Sequence, residues 1–410
     1  MSKNLSLNAN ILGYTQNVLP PPQKVEKKAI LHSSVPLPKF IDELQSVRIV
    51  RNRRETRYVL RWQIKNRFMD IGRKVGLVYP SDFHRTCKCG CVLISDSVGL
   101  YHGVVHKRAF YTGLSTCGNV WTCPVCSAKI QERRRVEISQ GMDWGYANFK
   151  KCVMVTTTIP HKITDPLPDL LTKYADALRF LRSGREWQAC KKKIGFVGLI
   201  RSLELTVGKN GWHPHTHELW FVDPSCDAEE LQNLILKRWE NACIKTGLLT
   251  PDKIEAFREH AVNFKDNATN SEYLQKFDDG KAWGVDREMA KSSSKSSVFG
   301  CHPFELLCEY AGGLSDLSQE IRGDMFIDYA MAMKGKRQLY WSKGLKELVG
   351  ITDKTDEQIC EEPDEIAILL GQITPKRWKL VLDEFAEAEI LYRAETGGWK
   401  DVDDWFIQRE

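Results

Sequence analysis

The sequence predicts an α+β fold in which helices pack on one face of an antiparallel β-sheet. From Lys151 onward, segments with strand-like alternation are separated by segments with helical spacing. Two strand-like segments, FVGLIRSLELTV and WHPHTHELWFV, are joined by the turn sequence GKNG, which is typical of a β-hairpin. We therefore expect a hairpin at the centre of the sheet.

Other segments complete this layer and the regions around it. KCVMVTTTIPH is a predicted strand that Pro160 ends, and LPDLLTKYADALRFLRSGREWQACKKK follows it as a predicted helix. After the hairpin, DAEELQNLILKRWENACIKTGL is a predicted helix with Asp227 as its N-cap, and REHAVNF is a predicted strand. The predicted regions are a flexible N-terminal arm at 1–45, a basic helix at 46–83, a zinc-ribbon-like cysteine module at 84–135, the sheet domain at 150–290 and a helical C-terminal region with an acidic tail at 300–410.

Charge is distributed unevenly along this chain of 410 residues, whose formal net charge is +6. Residues 351–410 carry 16 acidic and 7 basic side chains, a net charge of −9, which leaves +15 for residues 1–350. Arg48 to Lys74 contains ten basic residues and two acidic ones, and its apolar residues keep helical spacing. This pattern predicts a basic amphipathic helix that binds a polyanion; a merely solvated helix face is the alternative.

Six of the thirteen cysteines are clustered, in RTCKCGCV and STCGNVWTCPVCSAKI. Cys123 and Cys126 have the CxxC spacing of a zinc knuckle, in which a tight turn points two thiolates at one tetrahedral ion. Cys117 is expected to add a third ligand, and one cysteine of RTCKCGCV a fourth; reduced core cysteines are the alternative. The candidate zinc ligands are Cys87, Cys89, Cys117, Cys123 and Cys126, with Cys91 also open.

Three histidines alternate along the predicted strand WHPHTHELWFV. Residues two apart in a strand face the same side of the sheet, so His213, His215 and His217 point one way. A single histidine on a strand is usually structural, but three at this period form a candidate metal site.

Glu204, on the preceding strand, shares the face of these histidines. If the turn is Lys209–Asn210, Glu204 pairs with His215; if the turn lies one residue later, Glu204 pairs with His217. The parity is the same in both registers. Glu204, His215 and His217 are therefore the predicted ligands of a divalent cation such as Mg²⁺ or Mn²⁺, with positions left for phosphate oxygens.

These motifs resemble those of a known family. GWHPHTH is similar to the metal-binding motif of the HUH endonucleases, and TCGNVWTCPVCSAKI resembles the cysteine segment upstream of it in plasmid and phage rolling-circle replication initiators. MKGKRQLYWSKGLKELVGI resembles the distal segment of initiators from Gram-negative bacteria. The resemblance runs from about Thr86 to Ile351, roughly two-thirds of the chain.

The resemblance implies an HUH endonuclease-like antiparallel sheet and a tyrosine that attacks a DNA phosphate. EYLQKF matches the family's YxxK motif, which makes Tyr273 the candidate nucleophile and Lys276 its helper on the same helix face. Tyr310 and Tyr329 are weaker candidates. The implied product is a tyrosine linked to the 5′ phosphate and a free 3′-OH that primes synthesis.

Two departures from the family pattern stand out. Thr216 lies between the paired histidines, where the family usually has a bulky hydrophobic residue. EMAKSSSK resembles a Glu-x-x-x-Tyr-x-x-Lys string, but Ser292 takes the place of the tyrosine. The role of Glu288 as a base for a second cleavage is a weaker implication for that reason.

The expected partner is single-stranded or supercoiled origin DNA. The arginines expected to bind it are Arg51, Arg53, Arg54, Arg57 and Arg61. Because no GxxxxGK[ST] phosphate loop is present, strand opening is assigned to a host helicase, with a host polymerase extending the primer. The lack of an apolar run of about 18 residues and of a signal-like N-terminus predicts a protein of the bacterial cytoplasm that does not enter membranes.

Three other functions are compatible with parts of the pattern. An HUH transposase or relaxase would share the chemistry but act on other DNA. A histidine-triad nucleotide hydrolase would use HPHTH as its HxHxH motif, although Thr216 and Glu218 fit that motif poorly. A non-catalytic zinc-ribbon DNA-binding protein would use the histidines only structurally.

Overall fold

The structure is a computed structural model that describes residues 53–79, 82–266, 268, 300–309, 311–363 and 366–410. Some predictions fall outside these residues and have no structural outcome. They concern the arm at 1–45, Arg51, Tyr273, Lys276, Glu288 and Tyr310.

Helices and strands alternate through the described part of the chain. Its α-helices are α1 (Arg53–Lys74), α2 (Pro124–Ala147), α3 (Leu167–Leu181), α4 (Gly184–Lys193), α5 (Ala228–Lys245), α6 (Ile254–His260), α7 (Gln319–Ala332), α8 (Leu345–Val349), α9 (Asp356–Glu361), α10 (Pro375–Asp383), α11 (Glu387–Thr396) and α12 (Gly398–Ile407). Its strands are β1 (Val98–Gly103), β2 (Ala109–Thr112), β3 (Lys151–Thr157), β4 (Gly198–Gly208), β5 (Gly211–Val222), β6 (Val262–Lys265), β7 (Gly300–Cys301), β8 (Leu339–Trp341) and β9 (Ala367–Ile373).

The chain divides into two compact units. Among the described residues, the first unit comprises 53–130 and 355–410, and the second comprises 131–354. This division differs from the predicted regions, which kept 300–410 together as a helical region. The reason is β9, which pairs with β1 and thereby joins the end of the chain to the residues around the cysteines.

The second unit is built on an antiparallel sheet with the strand order β6-β3-β5-β4-β7, to which β8 adds by pairing with β4. The hairpin of β4 and β5 is central, as predicted. Gly208 pairs with Gly211, so Lys209–Asn210 forms the two-residue turn. Together with the second sheet, this arrangement confirms the predicted α+β class.

Both faces of this sheet are covered, whereas the sequence predicted helices on one face. On one face, Ile138 and Met142 of α2 pack against Leu219 and Phe221 of β5. The intervening side chains of β5 are buried as well, because α3 and α5 cover the opposite face. There Tyr174 of α3 lies edge-on to Trp239 of α5.

Two local predictions in this unit are wrong at their boundaries. The helix predicted after Pro160 is two helices, because α3 ends at Leu181 and α4 begins at Gly184. The predicted strand REHAVNF starts only at Val262, since its first residues end α6. Asp227 does cap α5, accepting a hydrogen bond from the backbone N–H of Glu230 at 2.9 Å.

The first unit contains a three-stranded antiparallel sheet with the order β2-β1-β9. One face of this sheet packs on the last three helices of the chain. The fully buried side chains of this core include Leu100, Ile373, Trp378 and Trp405. Within the described residues we find no helix whose length and hydropathy suit a bilayer span.

Candidate metal centres

Glu204, His215 and His217 come together in the second unit. Glu204 pairs with His215 across the β4–β5 hairpin, one of the two registers predicted. Glu204 Oε2 lies 3.3 Å from His215 Nε2 and 3.2 Å from His217 Nε2. All three side chains are buried, with relative exposures of 1%, 8% and 3%. A carboxylate that is buried in this way is shielded from water, so a bound cation or a hydrogen-bond donor must stabilise its charge.

The outer nitrogens of both imidazoles have acceptors nearby. His217 Nδ1 lies 2.9 Å from Thr156 Oγ1, and His215 Nδ1 lies 3.4 Å from the carbonyl oxygen of His213. A proton on His217 Nδ1 that is donated to Thr156 leaves the lone pair of His217 Nε2 directed towards Glu204, whereas the 3.4 Å contact of His215 Nδ1 is long for a hydrogen bond. Metal-binding histidines are commonly oriented by such a second hydrogen bond.

These three residues could hold a metal ion, since one donor atom from each lies within 4.8 Å of the others. Two imidazole nitrogens and a carboxylate oxygen suit a divalent cation and leave further positions for oxygen ligands. The choice of Mg²⁺ or Mn²⁺ stays a prediction.

His213, the first of the three alternating histidines, does not join this group. Its Nδ1 lies 3.2 Å from Nδ1 of His161, a residue that the sequence reasoning did not consider. Burial, together with the neighbouring His215 and His161, lowers the pKa of His213 to about 3. Thr156 was also missed; its signal was its place at the end of the strand VMVTTT, which pairs with the histidine strand.

Thr216 has a local reason for departing from the family pattern. It faces the opposite side of the sheet, where its Oγ1 lies 2.9 Å from Thr157 Oγ1 and accepts a hydrogen bond from Tyr174 Oη at 3.1 Å. Next to it, Arg182 Nη1 donates to both carboxylate oxygens of Glu218 at 2.6 Å. A satisfied buried polar network of this kind fixes β5 in one register.

Four cysteines of the first unit form a second candidate centre: Cys89, Cys117, Cys123 and Cys126. Cys126 Sγ lies 3.5 Å from Cys89 Sγ and 3.6 Å from Cys117 Sγ, and Cys123 Sγ lies 3.7 Å from Cys89 Sγ. Four thiolates bound to one tetrahedral Zn²⁺ at about 2.3 Å would be about 3.8 Å apart. The cluster therefore has nearly the size of a zinc site, although the identity of its metal stays a prediction.

The fourth member of this cluster is Cys89, and neither Cys87 nor Cys91 belongs to it. Cys87, within the 3₁₀ turn Arg85–Lys88, points its thiol at the carbonyl oxygen of Lys65, 3.8 Å away. Cys91 Sγ accepts a hydrogen bond from Lys65 Nζ at 3.3 Å. The prediction that included Cys87 among the zinc ligands is not supported by this placement.

The cluster is held by its own loops. Asn119 Oδ1 accepts hydrogen bonds from the backbone N–H groups of Trp121 and Thr122, which shapes the turn before Cys123. Hydrogen bonds from the thiols of Cys117 and Cys123 lower the pKa of Cys126 well below its ordinary value. Hydrogen bonding to Cys117 and Cys126 raises the pKa of Cys123 well above its ordinary value, so without a metal the clustered thiols share their protons unequally.

The arginines predicted to bind DNA have different environments in α1. Arg61 is buried and forms an ion pair with Glu387 of α11, which also accepts a hydrogen bond from Trp62 Nε1 at 2.8 Å. Arg54 pairs with Glu395 at 2.6 Å. Arg57 is exposed, and Arg53 opens the helix. The guanidinium of Arg61 is buried against a carboxylate. This placement does not support the prediction that Arg61 contacts DNA.

Tyr329, one of the weaker nucleophile candidates, is fully buried in α7. Its ring stacks on that of Trp212 with centroids 6.1 Å apart and lies 5.8 Å from the ring of Phe326. Burial raises the pKa of its hydroxyl well above the ordinary value. A phenol in this environment is a poor nucleophile and has no access to a DNA strand.

Residues 111–367 of the chain match the protein family described as Replication protein. The chain is 28% identical over 352 residues to a Streptomyces lividans protein named Protein rep, with 69% of this chain and 76% of that protein covered. It is also 31% identical over 150 residues to a Streptomyces cyanogenus protein named Neomycin resistance protein, with 29% of this chain and 34% of that protein covered. No solved structure matches the chain.

Proposed function

Since the chain belongs to the replication protein family, we propose that it is a plasmid or phage rolling-circle replication initiator that nicks and rejoins one strand of its origin DNA. The observation that carries this proposal is the convergence of Glu204, His215 and His217 on one face of the central sheet. Neither a purely structural histidine nor a DNA-binding module requires two imidazoles around a buried carboxylate.

The proposed role of this centre is to bind Mg²⁺ or Mn²⁺. When bound, such an ion neutralises charge on a DNA phosphate and stabilises the oxygen that leaves. Glu204, His215 and His217 hold their donor atoms in place before DNA arrives, because β4 is paired with β5 along its full length. Thr156 supports His217 from the neighbouring strand β3.

The proposed nucleophile is Tyr273, assisted by Lys276. The phenolic oxygen attacks the phosphorus, the bond from phosphorus to the 3′ oxygen breaks, and the phenolic proton passes to a base or to water. The products are a 5′-phosphotyrosine and a free 3′-OH, and attack by that hydroxyl reverses the step without ATP. The burial of Tyr329 supports Tyr273 over Tyr329. Glu288 is proposed as the base for a second cleavage.

The remaining parts of the proposal concern binding. We assign Zn²⁺ to the four clustered cysteines, as a structural ion of the first unit. Three arginines of the basic segment, Arg51, Arg53 and Arg57, are proposed to contact origin DNA phosphates. A host helicase and a host polymerase are proposed to open and extend the nicked strand.

The test is incubation of the protein with single-stranded origin DNA and Mn²⁺, followed by mass spectrometry of tryptic peptides. We expect a nucleotide-bearing peptide that contains Tyr273, lost in Tyr273→Phe and kept in the matched variant Tyr329→Phe. A labelled peptide containing Tyr310 would move the nucleophile and keep the mechanism. DNA cleavage that needs no divalent cation and leaves no labelled tyrosine would overturn the proposal in favour of a histidine-triad hydrolase.

A further inference from the structure

His161 and His213 form a pair of imidazoles that the proposed nicking mechanism does not use. His161 follows β3, and His213 lies near the start of β5. Their Nδ1 atoms are 3.2 Å apart, and their ring centroids are 4.8 Å apart with the ring planes tilted by 58°. Both side chains are partly exposed, so a ligand could reach them from solvent.

The backbone around the hairpin turn holds this pair in place. Gly211 has a φ of +95°, and a Cβ there would lie only 2.8 Å from Ile163 Cα and 2.8 Å from the carbonyl oxygen of Lys162. The segment after His161 thus packs directly on Gly211, two residues before His213. Asp165 fixes the same segment by accepting a hydrogen bond from the backbone N–H of Lys162 at 2.7 Å.

The separation of the two nitrogens suits a shared metal ion. Two imidazole nitrogens at about 2.0–2.1 Å from one tetrahedral Zn²⁺ are about 3.3 Å apart. Imidazoles without a carboxylate favour Zn²⁺, Cu²⁺ or Ni²⁺, whereas Mg²⁺ prefers sites that include a carboxylate or other oxygen ligands. We propose that His161 and His213 form a second cation site that takes Zn²⁺ or a similar transition metal and leaves its other positions to water or phosphate oxygens.

The alternative for this contact is a simple N–H···N hydrogen bond. In that case one Nδ1 carries a proton that it donates to the lone pair of the other, so neither nitrogen can bind an ion. His161 Nδ1 also lies 3.4 Å from the carbonyl oxygen of Ile159, which is long for a hydrogen bond. Little is therefore lost when His161 places its proton on Nε2 and offers Nδ1 to a metal.

This site is distinct from the Glu204 centre but adjoins it. The ring centroids of His213 and His215 are 5.2 Å apart along the same strand. The donors of the first centre are Nε2 atoms that face Glu204, whereas the donors of the second are Nδ1 atoms that face each other. The two sites therefore have no donor atom in common.

The test is a count of bound zinc per chain after equilibrium dialysis of the full-length protein against Zn²⁺, measured by elemental analysis. We expect His161→Ala and the polar variant His161→Gln to bind one zinc fewer than the wild type. The matched control is His260→Ala, which removes an exposed histidine from the same unit and should keep the wild-type count. After dialysis against Mg²⁺ instead of Zn²⁺, the wild type and the three variants should bind the same number of magnesium ions per chain.

Two further results decide the outcome. Glu204→Gln should weaken the first centre but leave a zinc equivalent that disappears when His161→Ala is added, so failure of the nicking proposal and failure of this one are distinguishable. Zinc should also raise the melting temperature of the wild type more than that of His161→Gln. Equal zinc counts in the wild type, His161→Ala and His161→Gln would show that the contact is only a hydrogen bond and would overturn the proposal.

Discussion

Glu204 and His215 face each other directly across the β4–β5 hairpin, and Glu204 Oε2 lies 3.3 Å from His215 Nε2. A carboxylate buried to this extent is costly unless a cation or a hydrogen-bond donor shares its charge. The same oxygen lies 3.2 Å from His217 Nε2, so both imidazoles meet at one carboxylate oxygen. Removal of this oxygen should therefore affect metal binding more than it affects the sheet.

Glu204→Gln keeps the size of the side chain and removes its negative charge. We expect Mn²⁺ affinity at this centre to fall by at least tenfold, and origin nicking to fall with it, because a neutral amide is a weak ligand. Isothermal titration with Mn²⁺ measures the change. Glu259→Gln, at an exposed position of the same unit, is the control and should bind Mn²⁺ like the wild type. Unchanged Mn²⁺ binding in Glu204→Gln would contradict the assignment of this ligand.

Thr156→Val removes the acceptor for His217 Nδ1 and keeps a β-branched side chain on β3. Loss of an outer hydrogen bond to a metal-binding histidine typically reduces metal affinity by about 10–100-fold. We expect a drop of this size in Mn²⁺ affinity with little change in melting temperature. Thr158→Val serves as the comparison, since its hydroxyl lies 3.4 Å from the His260 carbonyl oxygen and makes no contact with the centre. Equal affinities in both variants would argue against the role of Thr156.

The cysteine cluster predicts different outcomes for two neighbouring cysteines. Cys89→Ser should lose bound zinc and lower the melting temperature, because Cys89 is one of the four clustered thiols. Cys87→Ser should keep the zinc ion of the first unit, because the Cys87 thiol points at the Lys65 carbonyl oxygen and not into the cluster. Elemental analysis of both purified variants gives the comparison. Zinc lost from Cys87→Ser but kept in Cys89→Ser would reverse the ligand assignment.

Arg61 and Arg57, one helical turn apart, should separate stability from DNA binding. Arg61→Ala leaves Glu387 buried without its cation, and breaking such a pair typically costs about 3–5 kcal/mol of unfolding free energy. Arg57→Ala changes an exposed side chain, so stability should change by less than about 0.5 kcal/mol. The DNA affinity of Arg57→Ala should fall, and the slope of the logarithm of its binding constant against the logarithm of salt concentration, the salt slope, should be smaller by about one. Denaturation and salt-dependent binding assays measure the two effects; a wild-type salt slope in Arg57→Ala would exclude the phosphate contact.

Glu305 should make the stability of the second unit depend on pH. Burial raises the pKa of this carboxyl from 4.5 to about 7. The folded chain then holds a proton that the unfolded chain has released, so stability should decrease as the pH rises from about 4.5 to 7. Glu305→Gln should flatten this slope and melt at a higher temperature than the wild type at pH 8. Glu309→Gln, at an exposed position nearby, should keep the wild-type slope; an unchanged slope in Glu305→Gln would contradict the prediction.

The centre formed by Glu204, His215 and His217 could be predicted because the geometry of one hairpin brings these residues together. Alternation along a strand has a period of two, so Glu204 shares a face with His215 and His217 whether Lys209–Asn210 or Asn210–Gly211 forms the two-residue turn. The CxxC spacing of Cys123 and Cys126 likewise depends on one tight turn. Both inferences use only residues that are close in sequence, where backbone geometry determines which side chains meet.

The contacts that sequence reasoning missed join residues far apart in the chain. Arg61 and Glu387 are 326 positions apart, and His161 and His213 are 52 apart. No periodicity connects such pairs, because their meeting depends on how complete elements pack. The choice of Cys89 over Cys87 was missed for a different reason, since a local 3₁₀ turn with no clear sequence signal decides which of the two thiols faces the cluster.

The pairing of β9 with β1 has a consequence for how the protein is made. Residues 131–354 leave the ribosome as one uninterrupted stretch, so the second unit can fold while synthesis continues. Residues 53–130 must wait for 355–410, and until then the nascent chain exposes the unpaired edge of β1 and the core residues Val98, Leu100 and Ala109. Nascent-chain lengths that end before β9 should therefore be the ones most prone to aggregation and most dependent on chaperones.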